Sequence, residues 1–246
     1  MKRMLGLGMA ALALAGAGCD KKDAAAPDTA KVAAASIPEP NGGEWTEQVV
    51  ATPQGGFLMG NPNAPVKLLE YASLTCPHCR DFTANAADPL KAKYVKTGQV
   101  SWEFRNFVLN PLDVAATLLA RCQGAGPFFK LTEQAYADQE KWIGQFSANS
   151  KPDMDRIAAL PQDQQFVALA KAAGLDQFFR ARGLPEAKGE ACLTDKAGLD
   201  TILAIRDRGT KEDKVTGTPS FLINGKPQEG VFDWTGLEAK LREALS

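Results

Sequence analysis

The stretch SLTCPHCRDF, Ser73 to Phe82, carries two cysteines two residues apart and the chain's only histidine, His78. A structural zinc takes four ligands, and a catalytic zinc takes three plus water. Cys76 and Cys79 have no second such pair to complete the set, and His78 cannot easily reach the same ion as both sulfurs. As a redox pair the spacing makes physical sense, because sulfurs one helical turn apart can reach disulfide distance. If Cys76 opens a helix, the free N–H groups and the positive end of the dipole stabilise its thiolate. Cys79, one turn inside, would then act second and resolve a mixed disulfide. His78 as imidazolium would stabilise the Cys76 thiolate further and make the disulfide more oxidising. The plainer alternative is an exposed helix residue of no consequence.

Other residues bear on the pair. Glu70 lies in the apolar run Val66 to Tyr71, six residues before Cys76. A buried acid is costly unless paired or protonated. Glu70 is therefore either a proton acceptor for Cys79 or a strand-end carboxylate facing solvent. Thr218-Pro219 opens a strand, where proline is normally excluded. A cis bond there would expose backbone groups to an extended substrate, whereas an ordinary trans proline at a strand start is the alternative. Cys122 and Cys192 are expected to close a structural disulfide if the chain is exported, rather than stay as buried thiols.

The elements that must position these residues can be read in order. Val66 to Tyr71 is a short buried strand, and the stretch after the cysteines is helical to Gly98, with Pro89 implying a kink or break. VSWEFRNFVL, from Val100, is a second strand. From Leu112 to about Lys214 the chain is helical, with Leu112, Ala115, Leu119 and Cys122 on one face and Phe166, Leu169, Ala170 and Ala173 on another. Ser220 to Ile223 is a strand, Asn224-Gly225 a hairpin turn, and KPQEGVFD the returning strand. A helix from Trp234 to about Ala244 closes the chain. Without its helical segment this order is an α/β thioredoxin-like fold, and CPHC sits between strand and helix, where a redox pair belongs.

The totals set the compartment. The 246 residues suggest one large domain or two modest ones, and 28 basic against 29 acidic side chains give no reason to expect a nucleic-acid surface. Met1-Lys2-Arg3 followed by an apolar run to Ala17 reads as a secretory signal, too short to span a bilayer comfortably. Cleavage could fall after Ala15-Gly16-Ala17, or before Cys19 in AGAGC, a lipobox-like stretch that departs from the usual pattern at Gly16. Five cysteines leave one over, and lipidating Cys19 leaves four for two pairs. Residues 20–43 are too poor in large apolar side chains to fold, and read as a flexible linker ahead of a domain over 44–246 with its helical insertion at about 112–214.

The segments GNPNAPVKLLEYASLTCPHC, FRNFVLNPLDVAA and VTGTPSFLINGK, together with this order, resemble the DsbA-like thiol-disulfide oxidoreductases. These are thioredoxin folds with an inserted α-helical domain, and the match runs from about Gly60 to the C-terminus. The resemblance implies Cys76 as nucleophile, Cys79 as resolving thiol, Pro77 and His78 as tuners of the potential, and Glu70 as the acid beneath the pair. It implies Pro219 as a cis-proline after Thr218 at the substrate site. No cofactor or metal is implied beyond the redox-active disulfide Cys76–Cys79. The expected partners are exported cysteine-containing proteins and a membrane redox partner for recycling. The expected protein is a monomer in the periplasm of a Gram-negative bacterium, with a candidate lipid anchor at Cys19 to the inner membrane. The anchor, the tether and the Cys122–Cys192 pair depart from the simplest members. The expected activity is disulfide donation; the alternatives are a reductase or isomerase of the same fold, or a non-catalytic chaperone or binding module.

The lipobox reading has a direct check. The native mature protein should begin at a lipidated Cys19 and fractionate with membranes, as intact mass would show. A mature chain beginning at Gly18 without added mass would make it soluble.

Overall fold

The computed structural model describes residues 37–39 and 41–246. The signal segment, Cys19 and most of the expected linker lie outside them. The folded body begins earlier than the expected Glu44. The Ile37 N–H donates to the Thr97 carbonyl at 2.7 Å, and the Trp45 indole N–H donates to the Ile37 carbonyl at 2.6 Å. The Glu39 carboxylate accepts the N–H groups of Asn41 and Gly43 at 2.8 and 2.9 Å. A composition poor in apolar residues hides this attachment, because it rests on hydrogen bonds and one indole.

Six strands form one sheet in the order β1-β2-β4-β3-β5-β6. They are β1 (Val49–Ala51), β2 (Phe57–Met59), β3 (Val66–Ala72), β4 (Val100–Asn106), β5 (Ser220–Ile223) and β6 (Lys226–Pro227). Only β3 and β4 pair in parallel, joined by the crossover helix α1 (Pro77–Leu90); the other pairs are antiparallel. The hairpin β1–β2 is absent from the sequence reading, since three-residue strands leave little periodicity to detect. The returning strand β6 is two residues long instead of spanning KPQEGVFD. Pro227 has no N–H for the ladder, and Gly230 turns the chain away with a φ of 73°. Pro89 does not end the first helix, but a π-helical turn follows at Lys91–Val95.

The central strand divides the core by its alternation. Val66, Leu68 and Ala72 face the main core with Trp102, Phe104, Phe221 and Leu90. Tyr71 and the partly buried Leu69 face a smaller cluster with Phe107, Ile205, Val215 and Leu222. Glu70 falls on the main-core side, and this parity places an acid among aromatics.

The helical segment between β4 and β5 comprises α2 (Pro111–Arg121), α3 (Ala125–Ala137), α4 (Gln139–Ser147), α5 (Lys151–Ala158), α6 (Gln162–Ala172), α7 (Leu175–Arg180), α8 (Glu186–Leu193) and α9 (Lys196–Lys211). Leu112, Ala115 and Leu119 are buried on α2, and Phe166, Leu169, Ala170 and Ala173 on or beside α6. A disulfide joins Cys122, at the end of α2, to Cys192 on α8, with Cα atoms 5.8 Å apart. The last helix, α10 (Trp234–Leu245), packs on α1, β3 and β5. Among the described residues no helix is long and apolar enough to cross a membrane.

The disulfide closes a separation of 70 residues, worth about 4 kcal/mol on a chain-entropy argument. Replacing both Cys122 and Cys192 by Ala should lower unfolding free energy by up to about that amount in urea titrations. Non-reducing peptide maps of the parent protein should contain the cross-linked pair. Free alkylation of both cysteines in the folded, oxidised protein would refute the bridge.

Candidate active site

Chain direction alone sets up the pair. β3 ends at Ala72, three residues cross the edge of the sheet, and Cys76 takes the N-cap of α1 in extended conformation. Pro77 occupies the first helical turn, where its missing N–H leaves no bond unmade. Cys76 is 6% exposed and Cys79 fully buried, and both are free thiols. The Cys79 thiol donates a hydrogen bond to the Cys76 sulfur, the largest of the effects that bring Cys76 down to about 5. Burial opposes this, whereas the backbone N–H groups of Cys79 and His78 add to it. Cys79 is pushed well up, first by burial, then by the hydrogen bond it donates to Cys76 and by that thiolate's charge. The two thiols thus have opposite preferences at neutral pH, one an exchanging anion and the other a held proton.

His78 contributes through its backbone N–H, while its side chain is exposed and Pro77 is exposed beside it. Thr218 and Pro219 stand opposite the pair. The peptide between them is cis, and the Thr218 carbonyl lies 3.2 Å from the Cys76 sulfur, accepting its proton in the thiol form. Phe82 of α1 packs on Phe221 of β5 with ring centroids 4.7 Å apart, fixing the helix bearing the thiols to the strand that follows Pro219. On the other face, the Tyr71 hydroxyl donates to Asp213 at 2.6 Å and accepts from Arg105 at 3.0 Å, anchoring the approach to Thr218.

Glu70 is fully buried, and burial pushes it up to about 8, against the Trp102 indole N–H that donates to Oε2 at 2.9 Å. Its Oε1 has no hydrogen-bond partner. Buried Tyr136 is pushed well up, first by burial and then by the charges of Cys79, Glu70, Asp113 and Cys76. The solvent-facing alternative for Glu70 is excluded. Cys122 and Cys192 form their own bridge apart from this pair.

Several residues escaped the sequence reading. The Tyr136 hydroxyl donates to the Ser73 carbonyl at 3.0 Å. The Gln139 side-chain amide donates to the carbonyls of Leu74 and Cys76 at 2.8 and 2.9 Å. Asp113, buried at the start of α2, accepts from Ser73 and Leu74. The signal in Asn110-Pro111-Leu112-Asp113 marked a helix start, but nothing local showed that it would meet the loop before Cys76.

The thioredoxin family profile matches residues 52–243. The chain is 28% identical over 193 residues to a Rickettsia bellii protein described as a protein-disulfide oxidoreductase, covering 78% of this chain and 65% of that one. It is 30% identical over 183 residues to a Bacillus cereus protein described as disulfide bond formation protein D, covering 71% and 73%. The crystal structure of a protein-disulfide isomerase from Novosphingobium aromaticivorans superposes with a TM-score of 0.73 at 31% identity, over 77% of this chain and 96% of that one. The chain spans less than two thirds of the length of the Rickettsia relatives it matches.

Two outcomes follow from the geometry. Thiolate absorbance near 240 nm in the reduced protein should show an acidic transition near 5, lost in Cys76→Ser; a transition only near about 8.5 would contradict it. Glu70 is raised from 4.5 to about 8 in the folded chain, so its protonated form stabilises the fold fully below the unfolded value. That contribution falls by up to about 1.4 kcal/mol per pH unit as pH rises toward the folded value. Glu70→Gln should remove this decline from stability-versus-pH curves.

Proposed function

The chain belongs to the DsbA-like thioredoxin-fold family, and on that basis we propose that it is a periplasmic thiol-disulfide oxidoreductase donating the Cys76–Cys79 disulfide to exported proteins. A substrate thiolate attacks the Cys76 sulfur, and the bond to Cys79 breaks. Cys79 leaves as a thiolate and takes a proton, with Glu70 as the buried acid that supplies it directly or through water. A second substrate thiolate attacks the substrate sulfur of the mixed disulfide and expels Cys76. The substrate gains a disulfide, and the enzyme is left as the dithiol. Two electrons pass to the enzyme, and a membrane redox partner removes them to restore the disulfide.

The observation that carries this direction is the Cys76 thiolate, stabilised by the Cys79 thiol and the N–H groups at the start of α1. A well-stabilised thiolate is a good leaving group and favours the reduced enzyme, which makes the disulfide a strong oxidant. Pro77 and His78, exposed between the thiols, tune that potential, and the cis Thr218–Pro219 edge receives an extended substrate segment. The protein acts as a monomer, tethered to the inner membrane through Cys19. The isomerase named among the structural relatives favours a second reading, in which the same exchange reshuffles disulfides already formed.

Equilibration with glutathione separates these. A donor should have a potential near about −120 mV, whereas a value near about −270 mV would make it a reductase. An intermediate value near about −180 mV with efficient rearrangement of mispaired disulfides would favour isomerase activity. Cys79→Ser should trap substrate on Cys76.

A further inference from the structure

The three residues between β3 and Cys76 are tied to the start of α2. Asp113 Oδ1 accepts the Leu74 N–H at 2.9 Å, and Oδ2 accepts the Ser73 hydroxyl at 2.6 Å and the Leu109 N–H at 2.9 Å. Asn110 caps α2 by accepting the Asp113 N–H at 2.9 Å, and its amide donates to the Thr75 hydroxyl at 2.9 Å. The carboxyl group of Asp113 is thus fully buried, and all its acceptor bonds serve the reactive loop or the turn into α2.

Resting on the dithiol reading above, we propose that Asp113 is a positioning residue for the reactive pair. Its carboxylate holds the Ser73–Thr75 loop against α2, and its negative charge opposes the thiolate on Cys76.

The neighbouring titratable groups sharpen the second half of this. The buried titratable groups nearby are Cys76 and Cys79 of α1, Glu70 of β3 and Tyr136 of α3. At neutral pH burial keeps Cys79, Tyr136 and most of Glu70 protonated. Asp113, raised to about 6 by burial against its three hydrogen bonds, is mainly ionised, and Cys76 at about 5 is a thiolate. Two negative charges therefore sit close in the chain's packing, because Asp113 is bonded to Leu74, two residues before Cys76. The coupling is reciprocal: the Cys76 charge raises Asp113, so the Asp113 charge raises Cys76. Asp113 makes the enzyme a milder oxidant than the helix end and the Cys79 proton alone would produce. Its position and its charge act with opposite signs, since loosening the loop would raise Cys76 and neutralising the charge lowers it.

That opposition makes the idea testable. In Asp113→Asn, the 240 nm transition should move to lower pH. The glutathione equilibrium should shift about threefold or more toward the reduced protein, a factor of ten corresponding to one pKa unit. Ser73→Ala keeps the charge and drops one bond, so its transition should stay or rise. An unchanged or raised transition in folded Asp113→Asn overturns the charge role. If that variant does not fold, carboxyl NMR of the parent protein decides. Asp113 should titrate at higher pH in the reduced protein than in the oxidised protein, and equal values overturn the proposal. Loss of the 240 nm step in Cys76→Ser tests the dithiol reading separately.

Discussion

The hydrogen bond from the Cys79 thiol to the Cys76 sulfur is the interaction on which the rest depends. It requires one sulfur to sit at the helix end and the other a turn deeper, in apolar surroundings. Burial makes ionisation of Cys79 costly, and the helix end makes ionisation of Cys76 cheap. A symmetrical pair of exposed thiols would have neither the anion for exchange nor the reserved proton. The difference in depth, more than the cysteine chemistry itself, divides the two roles.

Keeping that difference requires a loop that does not relax. Ser73 to Thr75 has no ladder partner of its own, and the helical insertion bonds the Ser73 carbonyl and both backbone groups of Leu74. Tyr136 and Gln139 reach it from α3 and α4, and Asp113 and Asn110 from α2. The insertion is therefore part of the mounting of the active site. The Cys122–Cys192 bridge joins α2, which carries Asp113, to α8. On the opposite side the ring contact of Phe82 with Phe221 brings the cis Thr218–Pro219 edge to the same sulfur.

Glu70 follows from the strand period. A residue at an even step from Leu68 and Ala72 has to face the same core, whatever its polarity. Trp102, diagonal to it on the neighbouring strand, supplies one hydrogen bond, and the second oxygen has none. Such an acid holds its proton near neutral pH.

The cysteine spacing, the strand before it, the helix after it and the proline at the head of β5 were legible because each rests on local pattern. CPHC following an apolar run marks a thiol pair at a helix start, and the position of Glu70 within that run already raised the question of a buried acid. The short hairpin β1–β2 and the attachment of Ile37 to Thr97 had no comparable periodicity. Glu70 as a buried group, rather than a solvent-facing one, required the insertion helices to cover the sheet. The lowering of Cys76 by the Cys79 thiol and the N–H groups of Cys79 and His78 depends on how the two sulfurs are placed in depth. Asp113, Tyr136 and Gln139 lie 37 to 63 positions beyond Cys76 in the chain. Their sequence neighbours predict helices and caps, but contacts across such separations are set by packing. The sequence by itself determined that two sulfurs stand one turn apart at a helix start; the tertiary structure decided which of them is charged, because burial and hydrogen-bond partners exist only once distant helices close over the loop.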